Sequence, residues 1–195
     1  MSIEPDPFKR FEAWLAEASA AEPDANAMTL CTVGPTGQPS ARVVLLKHVD
    51  HRGFVFYTNL ESRKGREALA HPQVALDLHW KSLRRQVRVE GRVERIADAE
   101  ADAYFATRPR LSQVGAWASL QSQPLPHREA LEMRVAEVEA RYPGAVPRPP
   151  HWSGLRVVPV ELEFWTDRSG RLHERHVYRR ADPGAERWDI QMLFP

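Results

Sequence analysis

The stretch Gln86-Val87-Arg88-Val89-Glu90-Gly91-Arg92-Val93-Glu94 alternates apolar and polar residues along its length. Val87, Val89 and Val93 fall on one face, and Gln86, Arg88, Glu90, Arg92 and Glu94 on the other. Side chains leave a strand on alternate sides, so this period of two predicts a half-buried β-strand. Gly91 holds an apolar-face position, where a missing side chain predicts a bulge or the close approach of another backbone. The cations of the polar face alternate with acids, as on a solvated strand.

Further strands are predicted on both sides of this one. Towards the N-terminus lie residues 28–33, 40–47, 54–58 and Gln73–Trp80. The turn signal Gly34-Pro35-Thr36-Gly37 separates the first two, and a polar turn at 48–53 separates the next pair. Connections this short favour antiparallel pairing, because parallel neighbours need a long crossover. Towards the C-terminus, residues 155–165, 172–179 and 187–193 have the same character.

Helices are fewer. Phe8, Phe11, Trp14, Leu15 and Ala18 recur at helical spacing over 8–20. Ser62 is placed to cap a helix over Arg63–Ala70 that ends before Pro72, and Asp98 to cap one over Asp98–Thr107 that Pro109 stops. A longer helix is expected over 127–142, followed by a Pro-rich loop at 143–150. The fold class is therefore mainly β with α, an antiparallel barrel with helices packed outside. A single domain over 1–195 is expected, with 1–20 as an N-terminal helix or arm and 155–195 as closing strands that complete the site.

Lys plus Arg number 27 against 26 for Asp plus Glu, which argues against a general nucleic-acid or membrane-surface binder and makes any anion site local. Cys31 is the single cysteine, so no intramolecular disulfide forms; it reads as a small core residue. No apolar run reaches membrane-spanning length, and the first 14 residues lack the apolar centre of a secretory signal. The expectation is a cytoplasmic protein. Neither dinucleotide-binding nor phosphate-loop glycine patterns occur, nor do H-E-x-x-H or C-x-x-C, so no metal is expected.

Three groups of cations stand at element ends. Ser62-Arg63-Lys64 opens a helix, where free N–H groups and two cations suit a phosphate; a solvated first turn is the plain alternative. Tyr104 and Arg108 share a helix face, with Ser112 beyond the Pro109 break, a second set for phosphate or mere surface decoration. Arg171, His173 and Arg175 would share one strand face, either facing an anion or aromatic ring or forming an exposed basic edge.

Nine segments in order resemble the pyridoxine/pyridoxamine 5′-phosphate oxidase family. They are Arg-Val-Val-Leu-Leu-Lys at 42–47, Phe-Tyr-Thr-Asn at 56–59, Ser-Arg-Lys at 62–64, Arg-Arg-Gln-Val at 84–87 and Tyr-Phe-x-x-Arg-Pro-Arg at 104–110. Gly-Ala-Trp-Ala-Ser at 115–119, Gln-Ser at 121–122, Glu-Phe-Trp at 163–165 and Arg-Leu-His-Glu-Arg at 171–175 complete the set.

The resemblance implies a six-stranded FMN-binding split barrel that works as a homodimer with FMN in clefts between subunits. It implies that Arg42, Val43, Val44, Leu45, Leu46 and Lys47 line the FMN site, partly through backbone, joined by Tyr57 and Thr58. Arg63 and Lys64 would hold the FMN phosphate, and Gln86, Gln121, Ser122, Trp165 and Arg175 would also contact the cofactor, Gln121 and Ser122 from across the dimer. Lys47, Tyr104, Arg108 and Ser112 would bind the substrate phosphate. Arg171 and His173 would cover the pyridine ring and serve as the catalytic pair. The implied reaction oxidises pyridoxine or pyridoxamine 5′-phosphate to pyridoxal 5′-phosphate, with dioxygen as acceptor and hydrogen peroxide, plus ammonia from the amine, as products. The alternatives are a split-barrel flavin oxidase acting on another ring, such as a phenazine precursor, and a non-catalytic flavin or pyridoxal phosphate carrier. Met192 stands where the family usually has Arg, Leu111 replaces a small or polar residue, and the arm before Phe8 is short.

Overall fold

The computed structural model describes residues 3–195; residues 1 and 2 of the expected N-terminal arm lie outside it. The chain runs α1 (Pro7–Ala21), β1 (Ala27–Val33), β2 (Pro39–Leu45), β3 (His48–Asp50), β4 (Gly53–Asn59), α2 (Arg63–Ala70), β5 (Gln73–Trp80) and β6 (Arg85–Arg95). It continues α3 (Asp98–Thr107), α4 (Arg110–Ala118), α5 (Arg128–Arg141), β7 (Trp152–Thr166), β8 (Glu174–Arg179) and β9 (Asp189–Leu193). The strands form one antiparallel nine-stranded sheet in the order β2-β1-β5-β6-β7-β4-β3, with β8 added to β7 and β9 to β8.

Strand β7 organises this sheet. One edge pairs with β6 from Leu155 to Thr166. The other edge pairs with β4 over Trp152–Val157 and then with β8 over Glu161–Thr166. The sheet thus divides along its longest strand, curls around a core and leaves helices outside. The β6–β7 register slips at Glu90/Gly91, as the lone glycine foretold. A side-chain carbon on Gly91 would run into the Val158 carbonyl and lie 2.8 Å from Pro159 Cα.

Val87, Val89 and Val93 are buried as the alternation required. Helix α1 lays Phe8 and Phe11 onto the sheet, where Phe11 meets Phe54 edge-on at 4.9 Å. Fully burying one such side chain contributes about 2–3 kcal/mol. Trp80 is buried beside them and donates its indole N–H to the Ala25 carbonyl at 2.8 Å.

Several expectations need correction. His48–Asp50, expected as turn, forms a short strand against β4. Asp98 opens α3 but does not cap it; its carboxylate pairs with Arg95 and Arg148 instead. Pro109 ends α3, as expected, and also precedes an unforeseen helix, α4, because proline is tolerated where the first N–H groups have no intrahelical partner. Arg171 lies in a 3-10 turn (Ser169–Arg171) at φ 61°, and β8 begins only at Glu174, so alternation along a strand does not place Arg171, His173 and Arg175 on one face. Cys31 sits half-buried on the outward side of β1, not in the core. No helix among the described residues is long and apolar enough to cross a membrane.

Candidate active site

The start of α2 is pressed against the end of β4. Ser62 is fully buried; its Oγ accepts from Gly65 N–H at 3.2 Å and donates to the Asn59 carbonyl at 2.6 Å. A Cβ on Gly65 would stand 2.6 Å from the Asn59 carbonyl oxygen, so the contact requires glycine. This fixes the position of Lys64, whose Nζ donates to Gln121 Oε1 at 2.7 Å. Arg63 N–H donates to Ser122 Oγ at 3.1 Å. Gln121 and Ser122 therefore meet this helix start within one chain, where an approach from across a dimer was expected. Burial, with Arg42 nearby, lowers the Lys64 pKa, and an anion held there would reverse that cost.

Beneath the helix lies Glu67, which the sequence did not single out. Its burial alone would raise its pKa, but hydrogen bonds from Thr32, Ser40 and Arg63 hold it down to about 2. Arg63 Nε donates to it at 2.7 Å, and Arg42 reaches it at 3.4 Å. The Arg42 and Arg63 side chains are thus turned to Glu67.

In front of α2 opens a cavity of about 380 Å³. Of the expected residues, Val43, Val44, Leu45, Lys47, Tyr57, Thr58, Lys64, Tyr104, Arg108 and Gln121 line it. Arg42, Leu46, Arg63, Ser112 and Ser122 do not: Leu46 is buried in the main core, and Ser112 stands in the first turn of α4. Val43 and Leu45 give the cavity an exposed apolar side. Tyr57, Tyr104 and Trp152 stack nearly parallel, with Tyr57–Tyr104 centroids 3.9 Å and Tyr57–Trp152 centroids 5.1 Å apart. Trp152 and Asn59 were missed as site residues; the signal for Trp152 was an aromatic directly after the Pro-rich loop.

Two polar atoms here are buried with no partner, Thr58 Oγ1 and Arg108 Nη1. Burial lowers the Arg108 pKa. An unpaired buried donor is costly, so these atoms fit a ligand that supplies acceptors. The cations expected for two different phosphates, Lys64 for one and Lys47 with Arg108 for the other, line the same cavity.

The remaining expected residues gather elsewhere. Gln86 pairs across strands with Trp165, and Trp165 with Arg175. Gln86 donates to Asp77 Oδ1 at 2.7 Å, and Arg175 makes paired hydrogen bonds to Glu163 at 2.6 and 3.0 Å. His173 lies against the Trp165 ring at 4.6 Å, and Arg171 is exposed beside it. Arg175 also donates to the Phe194 carbonyl at 3.0 Å, so backbone supplies a C-terminal contact although Met192 carries no charge. Leu111 is exposed and disturbs no packing.

Trp152 and Trp165 mark opposite ends of β7. At about 3.3 Å per residue they are roughly 43 Å apart along the strand. One chain therefore carries a cationic cavity at one end of β7 and a Trp-His-Arg patch at the other.

The comparisons with known proteins bear on both halves. Residues 15–142 match the family described as pyridoxamine 5′-phosphate oxidase. Residues 152–195 match the pyridoxine 5′-phosphate oxidase C-terminal dimerisation region. The chain is 63% identical over 192 residues to the pyridoxine/pyridoxamine 5′-phosphate oxidase of Azorhizobium caulinodans, covering 97% of this chain and 90% of the relative. It is 65% identical over 195 residues to that of Myxococcus xanthus, covering 99% and 93%. Among solved structures it is similar to PhzG from Burkholderia lata in complex with tetrahydrophenazine-1-carboxylic acid, at 34% identity and a TM-score of 0.91, covering 98% and 94%.

Proposed function

The chain belongs to the pyridoxine/pyridoxamine 5′-phosphate oxidase family, and from that premise we propose that it oxidises both B6 phosphates to pyridoxal 5′-phosphate with FMN as cofactor. One observation carries the proposal: a single cavity lined by Lys47, Lys64 and Arg108, with an apolar side and two buried polar atoms lacking partners. That donor set fits one phosphorylated ring cofactor and one phosphorylated ring substrate laid against each other.

Lys64, with the α2 N-terminus and Thr58, would hold the FMN phosphate, and Val43 and Leu45 would face its ring. Lys47, Tyr104 and Arg108, with Ser112 close by, would hold the substrate phosphate. When bound, FMN would supply the two-electron oxidation at the substrate C4′ carbon, with dioxygen as the final acceptor and hydrogen peroxide as product. The protein's share is to fix the substrate by its phosphate so that C4′ sits at reacting distance. Arg171 and His173 would cover the pyridine ring, Arg171 by electrostatic orientation and His173 by holding or moving a proton. Gln86, Trp165 and Arg175 would reach the cofactor from the same patch.

The protein is a homodimer through its C-terminal region. The separation of cavity and patch along β7 supports a reading in which the cavity of one subunit is closed by the Trp-His-Arg patch of its partner. We infer a single domain over 1–195, a reading supported by β7 pairing with β4, β6 and β8 alike. We infer that the protein works in the cytoplasm, and its single cysteine agrees with a reducing compartment.

The likeness to PhzG supports a second reading, oxidation of a phenazine precursor. The unpartnered Arg108 Nη1 favours a phosphorylated substrate instead. The test is direct: purified protein should be yellow and turn over pyridoxamine 5′-phosphate with one peroxide per aldehyde, and should leave tetrahydrophenazine-1-carboxylate unchanged. Flavin binding without turnover of either B6 phosphate would defeat the proposal.

A further inference from the structure

Strand β5 carries on its outward face a carboxylate that the proposed reaction has not used. Asp77 is half-buried between Thr29 of β1 and Arg88 of β6, its partners in register. Arg88 is the natural ion-pair partner, but its guanidinium is turned to Glu90 at 3.3 Å and Glu163 at 3.6 Å. The Asp77 side chain is bonded instead by a neutral amide: Gln86, one pair along on β6, donates Nε2–H to Oδ1 at 2.7 Å. Burial pushes the Asp77 carboxyl above its usual range, against the pull of that hydrogen bond and of the His79 and Arg88 charges. A carboxylate raised in this way costs the fold stability wherever it is ionised. A neutral side chain at this position would spare the fold that cost.

An ionised carboxylate only accepts, whereas a glutamine amide has a donor end and an acceptor end. Asp77 therefore draws the Gln86 nitrogen towards itself, and the charge on the acceptor strengthens that preference. The amide oxygen is left on the far side, with a single N–H still free. Gln86 pairs across strands with Trp165, and Trp165 with Arg175, so this orientation is set within the patch already assigned to the cofactor.

We propose that Asp77 is a positioning residue for FMN binding, turning the Gln86 amide so that its oxygen is the atom offered to a hydrogen-bond donor of the cofactor. The inference rests on the reading that Gln86 reaches FMN. Asp77 touches neither cofactor nor substrate and acts through Gln86 alone.

The experiment strips FMN from the full-length dimer and titrates it back by flavin fluorescence, for wild type, Asp77→Leu, Asp77→Asn, Gln86→Leu and the Asp77→Leu/Gln86→Leu double variant. Gln86→Leu should weaken FMN binding about tenfold, the loss of one hydrogen bond in a partly dry site. Asp77→Leu should weaken it about fivefold, because the amide then turns freely. Asp77→Asn should weaken it only about twofold, because an amide partner accepts or donates and no longer dictates which end of Gln86 faces out. Loss of a negative charge by itself would tighten binding of an anionic cofactor, so weakening has the opposite sign to a bulk charge effect. In the Gln86→Leu background, Asp77→Leu should add nothing further. The melting temperature of FMN-free Asp77→Leu and Asp77→Asn should equal or exceed that of wild type, a split that a merely structural carboxylate would not give. FMN affinity unchanged or raised in Asp77→Leu while Gln86→Leu binds weakly overturns the inference. So does a loss that persists in the double variant, or a loss that comes with a lower melting temperature. If Gln86→Leu binds FMN normally, the placement of Gln86 at the cofactor fails, and this inference fails with it. Turnover of pyridoxamine 5′-phosphate by wild type tests the oxidase reading separately, so the two failures are told apart. Asp77→Asn supplies the comparison if Asp77→Leu does not fold.

Discussion

The Arg108 guanidinium carbon lies 4.7 Å from the centre of the Trp152 ring, with Nη1 buried and unpartnered. The Trp152 and Phe105 rings pack against the cation, and its Nη1 is left without a hydrogen-bond partner. Arg108→Met should raise the KM for pyridoxamine 5′-phosphate about thirtyfold, since a charge-assisted contact contributes about 1.5–3 kcal/mol. Trp152→Phe keeps a ring but weakens the cation–π contact by under 1 kcal/mol, and should raise KM only about threefold. Steady-state kinetics on flavin-saturated protein measures both. Equal effects of the two variants would show that Arg108 does not meet the phosphate.

Lys64 bears on the other phosphate. Lys64→Met should weaken FMN binding about ten- to hundredfold without altering the aromatic stack. Only the cationic form of Lys64 attracts an anion. Because burial lowers its pKa, apoprotein should lose FMN affinity as pH rises at values below those where an ordinary lysine deprotonates. Flavin fluorescence titrations from neutral to alkaline pH measure this, and the Lys64→Met variant should lack that alkaline limb.

Glu67 underlies the same helix, and its role is stability. Its folded pKa, about 2, lies below the ordinary glutamate value of 4.5. A depressed carboxylate stabilises the fold above the unfolded pKa and loses that contribution as pH falls through 4.5 towards 2. Glu67→Gln should therefore cost about 2 kcal/mol at neutral pH, by leaving Arg42 without its charge partner. The gap to wild type should narrow as the pH falls. Denaturant melts at several pH values test this, and a gap independent of pH would remove the carboxylate charge from the account.

The sheet was legible wherever one face was buried and the other wet, because that contrast writes a period of two into the sequence. Val87, Val89 and Val93 carried it, and Gly91 marked the bulge. Ser62 gave the α2 start because capping is local chemistry. Helix α4 is not legible locally because Pro109 reads as a stop, although proline serves equally well before a first turn. His48–Asp50 was too short and too polar to announce a strand. The cavity was legible as cationic motifs, but Trp152 joins it through the β4–β7 register, which no local pattern encodes. Arg171 left the expected strand face because Gly170 and Arg171 both adopt positive φ in the turn before β8.

The separation of cavity and patch leads to a test of how they combine. In a twofold dimer each subunit meets its partner through the same patch, so two shared sites form together. Arg108 lines the cavity, whereas Arg171 belongs to the distant patch. Arg108→Ala and Arg171→Ala homodimers should each be nearly inactive, for both of their sites lack one residue. In a mixed dimer, one site lacks both residues and the other has both intact. Random mixing makes half the dimers mixed, so activity should recover to about a quarter of wild type. Co-refolding the two variants and assaying peroxide release measures this. If cavity and patch served the same chain, no mixed dimer would contain an intact site and the mixture would stay as inactive as its parents.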